Sequence, residues 1–115
     1  MNNMPDATLW SAVCAIEEIV PNTGICALIK NRHVAVFHLK GKDERLFAID
    51  NIDPNTQASV LSRGMLGNLG GRIVVASPMY KHHFDLQSGE CIEVSENSVN
   101  AYAVRVEDQT VWVAV

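Results

Sequence analysis

Hydrophobic positions along this chain fall in short runs that turn residues keep interrupting. The runs at 10–16 (WSAVCAI), 25–30 (ICALIK), 33–40 (HVAVFHLK) and 46–50 (LFAID) each have the length of a β-strand. So do those at 72–77 (RIVVAS), 82–87 (HHFDLQ), 101–108 (AYAVRVED) and 110–115 (TVWVAV). In AYAVRVED, Tyr102, Val104 and Val106 alternate with Ala103 and Arg105, the period of two of a half-buried strand. Asn31-Arg32 reads as the tight turn of one hairpin and EDQT as the turn of the last. No segment carries a convincing helical period. Short strands at regular spacing predict an all-β domain, a small sandwich or barrel.

The exception is 51–71, NIDPNTQASVLSRGMLGNLGG, which is irregular and rich in Asn, Gly and Ser. A connection longer than ~12–15 residues in a compact domain is usually functional or disordered. Val60, Leu61, Met65, Leu66 and Leu69 are spaced through this one, so it is expected to pack.

Composition narrows the classes. A chain of 115 residues fits one domain, 1–115, with an ordered core from about residue 8. A net charge of −4, with nine Lys and Arg scattered along the chain, argues against nucleic acid, which needs clustered cations. No apolar run approaches the ~20 residues of a membrane helix, and the N-terminus lacks the features of a signal peptide. Cys14, Cys26 and Cys91 are an odd set at scattered spacing, so a cytoplasmic protein with reduced thiols is expected. Cys14 and Cys26 fall inside apolar runs and read as core. Cys91 follows the turn SGE and is the candidate for greater exposure, with core packing the default for all three.

Few residues offer chemistry. His82 and His83 are adjacent and diverge if they lie in a strand, and His33 and His38 diverge for the same reason. No three or four ligands converge at metal-binding spacing, and no CxxC is present. Nucleophile-elbow, P-loop and dinucleotide motifs are absent. LGNLGG precedes a strand, not a helix, and reads as a turn. Asp50, Asp53 and Asp85 form no evident carboxylate pair. No catalytic or cofactor-binding residue is predicted.

The order of elements is more informative. LFAIDN, then a Pro and an LSRG segment, then GRIVVASP and FDLQSGECIE, resembles a Rieske-type domain. Such a domain holds a two-iron, two-sulfur cluster between two loops with two Cys and two His ligands. Aligning Pro54 and LSRG puts the first pair of ligand positions at Asp53 and Asn55. Aligning Pro78 and FDLQSG puts the second pair at Ser77 and Tyr80. None is a thiol or an imidazole. The segments TGICALIKNRHVAVFHL, LFAIDNIDP, SVLSRGML, VVASPMYKHHFDLQSGECIE and NAYAVRVEDQTVWVAV resemble, more narrowly, the small subunit of the bacterial NADH-dependent assimilatory nitrite reductase. That family keeps the Rieske-like fold without the ligands.

The resemblance implies an accessory subunit with no metal and no cofactor of its own. It implies a large-subunit partner carrying FAD, siroheme and an iron–sulfur cluster, which reduces nitrite to ammonium with NADH. Met65, Leu66, Met79 and Tyr80 are the expected partner-binding residues at the tip formed by the two former cluster loops. A ferredoxin-type electron carrier and a stand-alone β-domain interaction module are the alternatives.

Overall fold

A computed structural model describes residues 9–115. In chain order its strands are β1 (Trp10–Ala15), β2 (Thr23–Ile29), β3 (Arg32–Lys40), β4 (Glu44–Asp50) and β5 (Met65–Leu69). They continue as β6 (Arg72–Ala76), β7 (His83–Asp85), β8 (Ala101–Glu107) and β9 (Thr110–Ala114). Three single 3₁₀ turns, at Ile16–Glu18, Leu61–Arg63 and Ser95–Asn97, are the only helical pieces among the described residues. The expected all-β architecture is present as an antiparallel sheet in the order β1-β9-β8-β4-β3-β2, with a smaller sheet β5-β6-β7 packed on it.

β3 explains the layering. Its run HVAVFHL is apolar without alternation because both of its faces are covered. Val34 and Val36 point into one core with Ile19, Ile29, Ala48, Val111 and Val113. Ala35 and Phe37 point into a second core with Ile49, Leu61, Val75, Phe84, Leu86 and Cys91. The first core fills the curl of the large sheet, and the second joins the large sheet to the small one. Burying Phe37 and Phe84 completely contributes ~1.5–3 kcal/mol each.

Four details differ from the sequence-based expectation. The β2–β3 turn is Lys30-Asn31, one residue earlier than expected, with both residues at positive φ (50° and 66°). That is the left-handed pair whose twist matches a two-residue hairpin. The Asp108-Gln109 turn has the same form. Residues 65–69 are a strand and not part of a loop, closed onto β6 by the Gly70-Gly71 turn. Cys26 is exposed and not core, because its neighbours Ile25 and Ala27 take the inward face of β2, whereas Cys91 is fully buried. Finally, β7 begins at His83, which leaves His82 in the loop before it.

Candidate functional site

The two segments that bear the four ligand positions leave β4 and β6 side by side. The first is held by Asn51, which is buried. Its carbonyl accepts the amides of Val60 and Leu61 at 3.0 Å each. Its side chain accepts the Ser62 amide at 2.6 Å and donates to Ser59 Oγ at 2.7 Å. Gly64 closes the segment, and only glycine fits there. A Cβ would be driven into the Ala76 carbonyl oxygen and would lie 2.6 Å from a Val75 methyl.

Asp53 and Ser77, the two positions where thiolates would be sought, bond to each other: the Ser77 hydroxyl donates to Asp53 Oδ2. Asp53 is fully buried, and its other oxygen accepts the Asn55 amide at 2.8 Å and Asn55 Nδ2 at 3.2 Å. Ser77 Oγ in turn accepts the amides of Met79 and Tyr80 at 3.2 and 3.3 Å. The carboxylate therefore sits among donors, the condition under which a buried charge is tolerated.

Asn55 supplies a second link. Its Nδ2 lies 3.1 Å from His82 Nδ1, and its Oδ1 accepts Asn97 Nδ2 at 2.9 Å. Because the Asp53 carboxylate faces the same Nδ2, that end of the amide must donate, which makes His82 Nδ1 the acceptor. The Tyr80 ring stands edge-on to His82, with centroids 4.7 Å apart at 86°.

His82, which a strand assignment turns away from the site, is thus one of its residues. Its position just after the Pro78 turn was the available signal. Asn51 and Asn97 had none, since Asn97 reaches Asn55 across 42 residues of sequence.

The remaining titratable groups sit elsewhere. His33 bonds Ser59 Oγ at 2.8 Å. His38 is buried between the Ile19 carbonyl at 2.8 Å and Glu44 at 2.6 Å. His83 pairs with Glu93 at 2.5 Å. Burial pushes the Glu93 carboxyl up, but the amide and ring of His83 outweigh it and hold it below its ordinary value. Asp85 meets Arg72 at 2.7 Å, and Arg72 also meets Glu90 at 2.6 Å. Asp50 accepts the Tyr102 hydroxyl at 2.5 Å. The three aspartates therefore occupy separate sites, as expected. Burial, with Glu18 nearby, pushes the Cys14 thiol up, opposite to what a reactive thiolate needs.

Of the expected contact residues, Met65, Met79 and Tyr80 are exposed, at 79%, 59% and 49%. Leu66 instead packs against the second core. Met65 pairs with Ala76, the residue before Ser77, so it flanks the second loop.

A two-iron, two-sulfur cluster does not fit these residues. A carboxylate, an amide, a hydroxyl and a phenol replace two thiolates and two imidazoles. The direct Asp53–Ser77 hydrogen bond leaves no room for an iron between those two oxygens. Among the described residues, no group of three or more His, Cys, Asp or Glu could hold a metal ion.

Residues 9–114 match the family described as the Rieske-like [2Fe-2S] domain. The chain is 44% identical over 102 residues to the nitrite reductase (NADH) small subunit of Escherichia coli K12, covering 89% of this chain and 94% of that one. It superimposes with a TM-score of 0.85 on the crystal structure of a putative NADH-dependent nitrite reductase small subunit from Mycobacterium tuberculosis. That protein is 36% identical, with 92% of this chain and 94% of that one covered. It is also 38% identical over 104 residues to the nitrite reductase [NAD(P)H] large subunit of Klebsiella oxytoca, spanning 90% of this chain but 11% of that protein. The chain therefore belongs to the Rieske-like domain family and, within it, to the nitrite reductase (NADH) small subunits.

Proposed function

We propose that this chain is a cluster-free accessory subunit that binds and orders the large subunit of a cytoplasmic NADH-dependent nitrite reductase. It acts as a single domain and holds no cofactor of its own, the redox groups being carried by its partner. The observation that carries this reading is the match to a stretch of the Klebsiella oxytoca large subunit. A domain of this kind occurs both as a separate chain and within a large-subunit polypeptide, so it works beside that subunit. The tip chemistry supports a role without electron storage, because hydrogen bonds join the positions where cluster ligands are expected. Met65, Met79 and Tyr80, with the exposed edge of Leu66, are the proposed contact. Thioether and aromatic side chains on a surface favour interface cores.

The test is co-expression with the cognate large subunit, followed by co-purification and an NADH-dependent assay of nitrite reduction. The isolated chain should be colourless and iron-free, whereas a Rieske protein carries about two irons per chain. Met79→Ala and Tyr80→Ala should weaken association and leave the melting temperature of the isolated chain in place. A coloured, iron-containing chain, or one that never associates with the large subunit, would refute the proposal.

A further inference from the structure

The edges of the two sheets are not protected alike. β1 carries a bulge between Ala12 and Cys14, a device that spoils edge pairing. The 59–62 segment leans on β2, where Cys26 Sγ lies 4.0 Å from Ser59 Oγ. β7 is covered by 90–92, through Asp85 N to the Glu90 carbonyl and Ile92 N to the His83 carbonyl, each 2.8 Å. β5 has none of these. It is the outer strand of the small sheet, and MLGNL bears no charge and no proline.

The register fixes which backbone groups are free. Ile73 and Ser77 of the β6 segment bond toward the β7 side, to Leu86 N and the His82 carbonyl. The alternate residues Arg72, Val74 and Ala76 therefore bond Leu69, Gly67 and Met65. The N–H and C=O of Leu66 and Asn68 point away from β6, and nothing among the described residues bonds them. Two donors and two acceptors, spaced by two residues, form an open template for another strand.

The face beside this edge is shaped as well. Met65, Gly67 and Leu69 share the side turned away from the core, and Gly67 has open space where a side chain would be. A cavity of about 160 Å³ lies there, lined by Met65, Leu69, Val74, Ala76 and His83 among others. An incoming antiparallel strand pairs Leu66 and Asn68 and places one of its own side chains over Gly67, in that cavity. Arg63, just before β5, is exposed and makes no ion pair among the described residues.

Resting on the accessory-subunit reading, we infer that β5 is where an extended segment of the large subunit adds as a further strand. It seats a large aliphatic or aromatic side chain over Gly67 and a carboxylate beside Arg63. A second copy of this chain fits the edge less well. Pairing across Gly67 sets Arg63 against the uncharged Gly70-Gly71 turn of the other copy. A five-residue edge also offers little of the ~1,200 Å² that a stable interface buries.

The experiment measures affinity of the full chain for the purified large subunit, with hydrogen exchange of the complex. Asn68→Pro removes an outward amide where an edge strand tolerates proline. Asn68→Ala keeps that amide and loses only the 2.9 Å bond from the Gly71 amide to Asn68 Oδ1. Affinity should fall about tenfold or more for Asn68→Pro relative to Asn68→Ala, the loss of one well-made hydrogen bond with its partner stranded. Gly67→Val fills the cavity of a chain that still folds, and should likewise weaken binding. Leu66 and Asn68 amides should gain protection in the complex.

Wild-type affinity in both Asn68→Pro and Gly67→Val, with Met79→Ala or Tyr80→Ala weakened, overturns the strand-addition site and leaves the subunit reading standing. Failure of the unaltered chain to bind the large subunit overturns both. A dimer of the isolated chain that Asn68→Pro abolishes assigns the edge to a second copy and overturns the inference.

Discussion

Removing the Ser77 hydroxyl tests whether hydrogen bonds hold the tip in place of a metal cluster. In Ser77→Ala the buried Asp53 carboxylate loses its one hydroxyl donor but keeps both contacts from Asn55. A hydrogen bond to a charged group is worth ~1.5–3 kcal/mol. The Met79 and Tyr80 amides also lose their acceptor, but at 3.2 and 3.3 Å these bonds are long. Both residues are exposed, so water replaces the acceptor at ~0.5 kcal/mol or less in all.

The sum is ~1.5–3.5 kcal/mol, which for a chain of this size lowers Tm by ~6–14 °C. Urea unfolding followed by tryptophan fluorescence gives the free energy directly, provided that the m-value is unchanged. Ser77→Thr restores the hydroxyl and should recover most of the loss. Asp53→Asn, which can still accept from Asn55, should cost less than Asp53→Ala. A Ser77→Ala variant within ~0.5 kcal/mol of the parent, a typical surface effect, would show that the inter-loop bond carries no stability.

Gly64→Ala should destabilise by ~3 kcal/mol or more, because the added methyl meets the Ala76 carbonyl and the Val75 side chain, an overpacking cost that backbone cannot relieve cheaply; a soluble variant with parental Tm would contradict the close approach. Acid stability should depend on Asp85. Burial alone raises its carboxyl, but Arg72 and the amides of Ser88 and Gln87 outweigh burial and hold it below the ordinary value. Its contribution is therefore complete above the unfolded value of ~3.9 and is lost as pH falls through the lower folded value. The urea-midpoint gap between the parent and Asp85→Asn should shrink below pH ~4, and a gap that stays constant down to pH ~2 would exclude Asp85 as the source.

The pattern of apolar residues made β3, β4, β6, β8 and β9 legible because each combines β-branched content with clear turn residues. β5 was hidden because Gly67 and Asn68 have poor strand propensity and its outer residues face solvent. Pairing with β6 makes it a strand, and local sequence does not record pairing. Cys26 was misplaced for a related reason. In a run such as ICALI every residue is apolar, so composition cannot say which parity faces the core. The spacing of Pro54, LSRG and Pro78 pointed to Asp53, Asn55, Ser77 and Tyr80, which hydrogen bonds tie into one tip. The partners that complete the tip were not legible, since Asn55 joins His82 and Asn97 from 27 and 42 residues away.

The chemistry of Asp53, Asn55, Ser77 and Tyr80 explains how hydrogen bonds hold the two loops together. Cluster sulfurs accept hydrogen bonds from the surrounding protein, so a loop built around them presents donors inward. Here the amides of Asn55, Met79 and Tyr80 find oxygen acceptors, on Asp53 and Ser77. An apolar pair at 53 and 77 would have filled the space but stranded the Asn55 amide at ~1–3 kcal/mol, leaving those of Met79 and Tyr80 to water. Asp53 and Ser77 thus satisfy the donors, and their mutual hydrogen bond links the two loops. The tip is left as an ordered surface, its exposed side chains free to meet another protein.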